Sequence, residues 1–231
     1  MKLFPDPESA DEDGCLGIGL DLSPSTLLSA YAEGVFPWSE DPISWWSPDP
    51  RGIFCLNSFA APRRVRRKMQ SGNYHFSRNR CFAEVIRACA EPSPKRGETW
   101  IGPAMIEAYT NLHQMGHAHS VECWQDDQLV GGIYGVQIGK LFAGESMFSR
   151  VSDGSKMALI HLIDHLRERD FLLFDIQQAN DHTLSLGAKE IPRRDYLQLL
   201  KTAINEKTTF SGPSARACDS VDHRACDPCC E

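Results

Sequence analysis

Long apolar runs are missing from this chain of 231 residues. No stretch approaches the ~20 apolar residues of a membrane-spanning helix, which argues against a membrane protein. The start, Met1-Lys2-Leu3-Phe4-Pro5-Asp6, lacks the apolar stretch of a secretory signal, so a cytoplasmic protein is expected. Surplus positive charge is missing too. Twenty-four Lys and Arg face 31 Asp and Glu, a net charge of −7 that argues against a nucleic-acid partner until it is divided along the chain. Residues 1–13 hold five acids and one Lys, and residues 211–231 hold four acids and two Arg, so the body between them is close to neutral.

Metal-ligand spacing is scarce among the nine cysteines. Cys15, Cys55, Cys81, Cys89 and Cys123 are scattered, and in a reducing compartment they read as plain thiols. Cys218, Cys226, Cys229 and Cys230 cluster near the end with His223, but no apolar residues accompany them to build a zinc knuckle. No metal is expected. His117, His119 and His182 read as hydrogen-bonding scaffold.

What is present is a hydrophobic fraction of 42% with five Trp, enough for a large core. After an acidic start, Ser23-Pro24 opens a helix that Gly34 ends. Three Trp and four Pro then fall between Pro37 and Pro50, a density read as packed aromatic loops or as a stacking platform for a nucleobase. Arg63, Arg64, Arg66, Arg67 and Lys68 follow on a short helix. That patch is either a solvated face or a seat for phosphates. Two further helices cover Cys81 to Ala90 and Pro103 to about Met115. From His119 to Phe148 the period changes to two, with turns at Asp126-Asp127 and Gly139-Lys140, and predicts a three-stranded antiparallel meander. Gly131, Gly132 and Gly135 inside it signal a bulge or close approach, by backbone or by ligand. An amphipathic helix over Met157 to Arg169, a buried strand over Phe171 to Gln177, a short helix from Asn180 and a last helix to about Ile204 complete an α+β architecture.

Two predicted strands carry polar groups that burial penalises. Alternation places Glu145, Met147 and Ser149 on one face of the first, and Asp175 and Gln177 together on one face of the second. Each polar group alone is as readily structural as functional, and the two strands in sequence favour a site. Ser149 reads as a strand-end hydroxyl.

The segments Tyr31-x-x-Gly34-x-Phe36-Pro37-Trp38, Trp45-Trp46-Ser47-Pro48-Asp49-Pro50-Arg51, Gly116-His117-Ala118-His119-Ser120-Val121-Glu122, Gly144-Glu145-Ser146-Met147-Phe148-Ser149 and Asp181-His182-Thr183-x-Ser185-Leu186-Gly187-Ala188 resemble the signatures of the bacterial leucyl/phenylalanyl-tRNA–protein transferases. The likeness runs from about Gly17 to Leu200. It implies a small N-terminal domain (1–52) beside a GNAT-like catalytic domain (53–208); residues 209–231 lie outside the likeness, and their polar, Cys-rich composition predicts a disordered tail. The likeness further implies a monomer, without cofactor, that moves Leu or Phe, and less readily Met, from aminoacyl-tRNA to the N-terminal Arg or Lys of a protein, an N-end-rule mark for degradation. By position, Trp38, Trp100, Tyr31 and Tyr109 match the residues around the tRNA 3′ adenosine. Ile133, Phe142, Met147 and Phe174 match the amino-acid pocket, and Asp175 and Gln177 the catalytic pair. Glu145 is the expected partner of the acceptor N-terminus, and Arg63 to Lys68 of the tRNA phosphates. Two alternatives stay open: an acyl-CoA-dependent N-acetyltransferase, which would want a glycine-rich pyrophosphate loop where Ser152-Asp153-Gly154-Ser155-Lys156 stands, and a non-enzymatic adaptor for RNA or N-degrons.

Overall fold

The computed structural model describes residues 2–92 and 99–211. The chain begins with a small antiparallel sheet. Strands β1 (Cys15–Ile18), β2 (Phe36–Glu40) and β3 (Ile43–Trp46) pair in the order β1-β3-β2, and helix α1 (Pro24–Ala32) lies between the first two in sequence. Ser23 caps α1 through its side chain, and Gly34 takes the left-handed conformation (φ 81°) just past its end. The aromatic segment expected as loops is therefore mostly strand.

The large sheet has seven strands. They are β4 (Arg51–Phe54), β5 (His75–Arg78), β6 (Ala118–Gln125), β7 (Gln128–Ile138), β8 (Leu141–Ser149), β9 (Leu173–Asp175) and β10 (Lys189–Ile191), in the order β10-β4-β9-β8-β7-β6-β5. Strands β6, β7 and β8 form the meander expected from the sequence. Only β8 and β9 run parallel, and the crossover that this requires is the long helix α5 (Gly154–Glu168). The α+β class with one large mixed sheet is as expected.

Alternation along the strands sends two sets of side chains to opposite faces. On one face Phe142, Phe174, Phe54 and Ile133 pack against α5, with Val65 of helix α2 (Arg63–Met69) in the same cluster. On the other, Ala143, Tyr134 and Val136 meet α1, α3 (Phe82–Ala90) and α4 (Pro103–Gln114). Farther along that face, Ile53, Leu141 and Leu173 pack on α7 (Arg193–Asn205), which follows the short helix α6 (Asp181–Ser185).

Three sequence expectations fail, each for a physical reason. The strand expected over Phe171 to Gln177 stops at Asp175, because Gln177 takes a left-handed backbone (φ 59°), so Asp175 and Gln177 do not share a strand face. Glu145 and Met147 do not share one either. Tyr134 pairs with Ser146 and Gly135 with Gly144, so Glu145 is the extra residue of a β-bulge that inverts the alternation beyond it. Met147 consequently joins the α5 side, while Glu145 reaches Tyr109 of α4. Gly135 serves that bulge: a Cβ there would come within 2.2 Å of the Ala143 carbonyl, so the close approach belongs to the protein's own backbone. Finally, Thr209, Phe210 and Ser211 are docked. Phe210 is buried, stacked on His119 and Phe142, with Gln137 accepting from its backbone N–H. The remaining tail, including Cys218, Cys226, Cys229 and Cys230, lies outside the described residues.

Candidate functional site

A cavity of about 200 Å³ lies between the small sheet and the end of β9, walled by Trp38, Trp100, Glu145 and Gln177 among others. Its aromatic side starts with local strand geometry. Phe36 and Trp38 of β2 stand 5.7 Å apart by ring centroids, and Trp46 of β3 meets Trp38 edge-on at 5.2 Å. Trp45 points the other way into the core, its indole N–H bonded to the Gly19 carbonyl. Of the three tryptophans only Trp38 lines the cavity, beside Phe36. Trp100 also lines the cavity, and Glu40, two residues past Trp38, accepts the Met105 N–H at 2.8 Å in the first turn of α4, the helix that follows Trp100. One acid thus ties β2 to the start of α4.

The polar wall is built from the bulge and the turn after β9. The Gln177 side-chain amide donates to Glu145 Oε1 at 2.9 Å, and the Tyr109 hydroxyl donates to Glu145 Oε2 at 3.0 Å. Tyr31 meets Tyr109 hydroxyl to hydroxyl at 2.5 Å. Burial pushes the Glu145 carboxyl up to about 7, against the lowering effect of the two tyrosines. Burial, then the nearby Glu145 charge, raises both tyrosines well above their ordinary range, so they stay neutral donors. Tyr31 and Tyr109 are wholly buried behind Glu145 and do not line the cavity, unlike Trp38 and Trp100.

Asp175 sits behind Gln177, with no exposed surface. Its four acceptor positions are filled by Arg51 Nε (2.9 Å), Arg51 Nη2 (2.7 Å), the Tyr196 hydroxyl (2.9 Å) and the Gln177 N–H (2.9 Å). Burial, the largest single effect, would lower the Arg51 pKa, but Asp175, Tyr196 and Glu145 together outweigh it and hold Arg51 above its ordinary value.

Glu145, Ile176, Gln178 and Asn180 also border a second, larger groove of about 1360 Å³, so the two spaces adjoin along these four residues. Ile133 and Met147 line this groove, whereas Phe142 and Phe174 are buried beneath it. Asp153, beside the start of α5, is enclosed by Arg64 at 3.0 Å, Lys156 at 3.6 Å and Lys68 at 3.8 Å. Of the basic helix, Arg66 is paired with Asp164, and Arg63 and Arg67 are exposed. Among the described residues no group of three His, Cys, Asp or Glu stands ready to hold a metal, and no helix is long and apolar enough to cross a membrane.

Sequence reasoning did not single out Glu40, Arg51, Tyr196 or Asn180. Arg51 alone carried a visible signal, as the last residue of the Trp/Pro-rich segment.

The sequence matches the profile of the leucyl/phenylalanyl-tRNA protein transferases over residues 53–201, and that of their N-terminal domain over residues 20–49. It is 49% identical over 205 residues to the leucyl/phenylalanyl-tRNA–protein transferase of Shewanella piezotolerans, covering 87% of each chain. It is 47% identical over 208 residues to that of Nitrosospira multiformis, covering 88% of this chain and 90% of the relative. Solved structures with a similar chain course include FemX (TM-score 0.44, 14% identity, 77% of this chain and 71% of that one). A tandem GNAT protein from the clavulanic acid pathway is another (TM-score 0.36, 11% identity, 81% and 59%).

Proposed function

This chain belongs to the leucyl/phenylalanyl-tRNA–protein transferase family, and we propose that it moves Leu or Phe from aminoacyl-tRNA to the N-terminal Arg or Lys of acceptor proteins. The chain is a transferase. The observation that carries the substrate reading is the Glu145–Gln177 hydrogen bond in the wall of an aromatic-lined cavity, which adjoins a large groove at Glu145.

In this reading Trp38 and Trp100 stack the 3′ adenosine, and the adjoining groove takes the amino acid's side chain over Ile133 and Met147. Phe142 and Phe174 support that floor from below. The acceptor's α-amine attacks the ester carbonyl carbon. A C–N bond forms, the C–O bond to the ribose breaks, and the amine's proton ends on the released ribose oxygen. An activated ester is consumed, so no ATP enters the balance, and positioning supplies much of the acceleration. The amine, with a pKa near ~8, needs only a mild acceptor. Gln177 offers its side-chain oxygen, since its nitrogen is engaged by Glu145. The Glu145 carboxylate faces the acceptor's guanidinium or ammonium. Asp175, with every acceptor position filled, orients Gln177 and takes no proton. Arg63, Arg64, Arg67 and Lys68 meet phosphates of the acceptor stem, contacts that position without reading sequence.

Both cavity walls come from one chain, so a monomer suffices, and a tRNA substrate fits a cytoplasmic place. The product bears an N-terminal Leu or Phe, the mark for degradation in the N-end-rule reading. The acyl-CoA alternative loses its footing at the start of α5. There Asp153 sets a carboxylate where a pyrophosphate would lie, and the Ser155 N–H already bonds the Ser149 hydroxyl at 3.0 Å. The test is transfer of radiolabelled Phe from charged tRNA to a protein starting with Arg, beside an acetyl-CoA control. Labelling from acetyl-CoA with none from Phe-tRNA overturns the proposal.

A further inference from the structure

We infer that Arg51 is the positioning residue that holds the two walls of the cavity in register, with Tyr196 as its partner; the inference rests on the transferase reading above. Arg51 opens β4 with no exposed surface, and its guanidinium reaches three separate elements. Toward the aromatic wall, Nη1 donates to the Gly34 carbonyl at 3.0 Å, and the guanidinium carbon lies 5.0 Å from the centre of the Phe36 ring, which lines the cavity beside Trp38. Toward the polar wall, Nε and Nη2 form a two-point bond with Asp175 at 2.9 and 2.7 Å. On the third side Tyr196 of α7 stacks 4.2 Å from the guanidinium, accepts from Nη2 at 3.2 Å and donates to Asp175 at 2.9 Å.

What this unit holds is a backbone turn that is unfavourable by itself. A glutamine at φ 59° persists only when its surroundings fix it. Asp175 accepts the Gln177 N–H, while Gly52, next to Arg51, donates to the Gln177 carbonyl at 2.9 Å and accepts the Ile176 N–H at 3.0 Å. A Cβ on Gly52 would stand 2.7 Å from the Ala179 nitrogen, so the turn rests directly on β4. The Arg51-Gly52 pair therefore grips Gln177 from both sides, one residue through an ion pair and the other through main-chain bonds.

A buried ion pair placed for stability alone is often replaceable by apolar groups at little cost. This one joins the residues that flank the reacting atoms, so its loss moves Gln177 relative to Trp38, and a misplacement of about 1 Å costs on the order of 100-fold in rate. The ground-state contacts of the tRNA elsewhere on the molecule stay as they were. A rate effect without a binding effect is the signature.

The experiment uses the full chain with Phe-tRNA and a peptide starting with Arg, comparing wild type with Tyr196→Phe and Arg51→Lys. Tyr196→Phe keeps the ring and removes one hydroxyl; Arg51→Lys keeps the charge and removes the fork. Expected is a kcat lowered about tenfold in Tyr196→Phe and further in Arg51→Lys, of the size seen when outer-shell supports are removed. KM for Phe-tRNA and for the peptide should stay within about twofold, in protein whose circular dichroism matches wild type. Should Arg51→Lys fail to fold, Tyr196→Phe decides. An unchanged kcat in folded Tyr196→Phe, or a loss that appears in KM, overturns the inference. A wild-type chain that moves no Phe overturns the transferase reading itself, whereas active wild type with unaltered variants overturns the positioning role alone.

Discussion

Gln177 and Glu145, 32 residues apart, are joined by a 2.9 Å bond from amide nitrogen to carboxylate oxygen. The bond fixes which end of the carboxamide faces the cavity. Removing the carboxamide with Gln177→Ala should lower kcat by about 10²-fold, within the range for a positioned proton acceptor. Gln177→Glu should do no better, because two acids would then face each other. Single-turnover transfer from Phe-tRNA measures both, and wild-type rates in Gln177→Ala would remove that residue from the reaction.

If Glu145 meets the acceptor as proposed, acceptor use should depend on pH. Its carboxyl is raised to about 7 by burial, so above neutrality it is charged and below it is neutral. The wild-type KM for a peptide starting with Arg should rise as pH falls from about 8 to 6, and Glu145→Gln should show a high, flat KM over that range. The stability sign follows from the same shift. The folded pKa lies above the ordinary value of 4.5, so the folded state binds the extra proton between the two. Glu145 therefore favours folding below that ordinary value, and its contribution is lost as pH rises through about 7. Glu145→Gln should gain melting temperature relative to wild type at pH 8 but not at pH 5.

The tryptophans separate by what they touch. Trp38→Ala and Trp100→Ala each remove a cavity wall, and stacking of about 1–3 kcal/mol per base predicts a KM for aminoacyl-tRNA raised roughly tenfold to a hundredfold. Trp45→Ala removes a core ring and should cost about 3–5 kcal/mol of stability instead. Urea unfolding beside KM measurements tells the two classes apart. A stability loss in Trp38→Ala equal to that of Trp45→Ala would return Trp38 to the core.

How far these residues were legible follows from the physics of each. The meander announced itself because Asp126-Asp127 and Gly139-Lys140 are turn residues between alternating runs, and α5 because Leu159, Leu162, Ile163 and Leu166 repeat at helical spacing. The small sheet was hidden by Pro37 and Pro42, which break the look of a strand without preventing this one. The Gln177 turn carried no signal at all, since a left-handed residue that is neither Gly nor Asn is held by tertiary contacts alone. The bulge at Glu145 was equally silent: one extra residue flips the pleat, and alternation counted through it puts Met147 on the wrong face. Asp175 was visible as a costly buried acid, but its partner Arg51 lies 124 residues away in sequence, so a proton-handling role and an ion pair looked alike.

The basic helix gives the last prediction, because its five cations are not equivalent. Arg63 and Arg67 are exposed and free to meet phosphates, whereas Arg66 is engaged by Asp164, and Arg64 and Lys68 surround Asp153 with Lys156. Removing a cation that neutralises one phosphate should lower the slope of log affinity against log salt by about 1. Arg63→Ala and Arg67→Ala should each do so for Phe-tRNA, and Arg66→Ala should do so less. Asp153→Asn is the discriminating variant. It removes the internal anion that competes for Arg64, Lys68 and Lys156, so binding should tighten and the salt slope should steepen. Filter binding across about 50–200 mM salt reads both quantities. If Arg63→Ala and Arg67→Ala leave the slope untouched and Asp153→Asn weakens binding, the phosphates lie elsewhere and the helix is a solvated face.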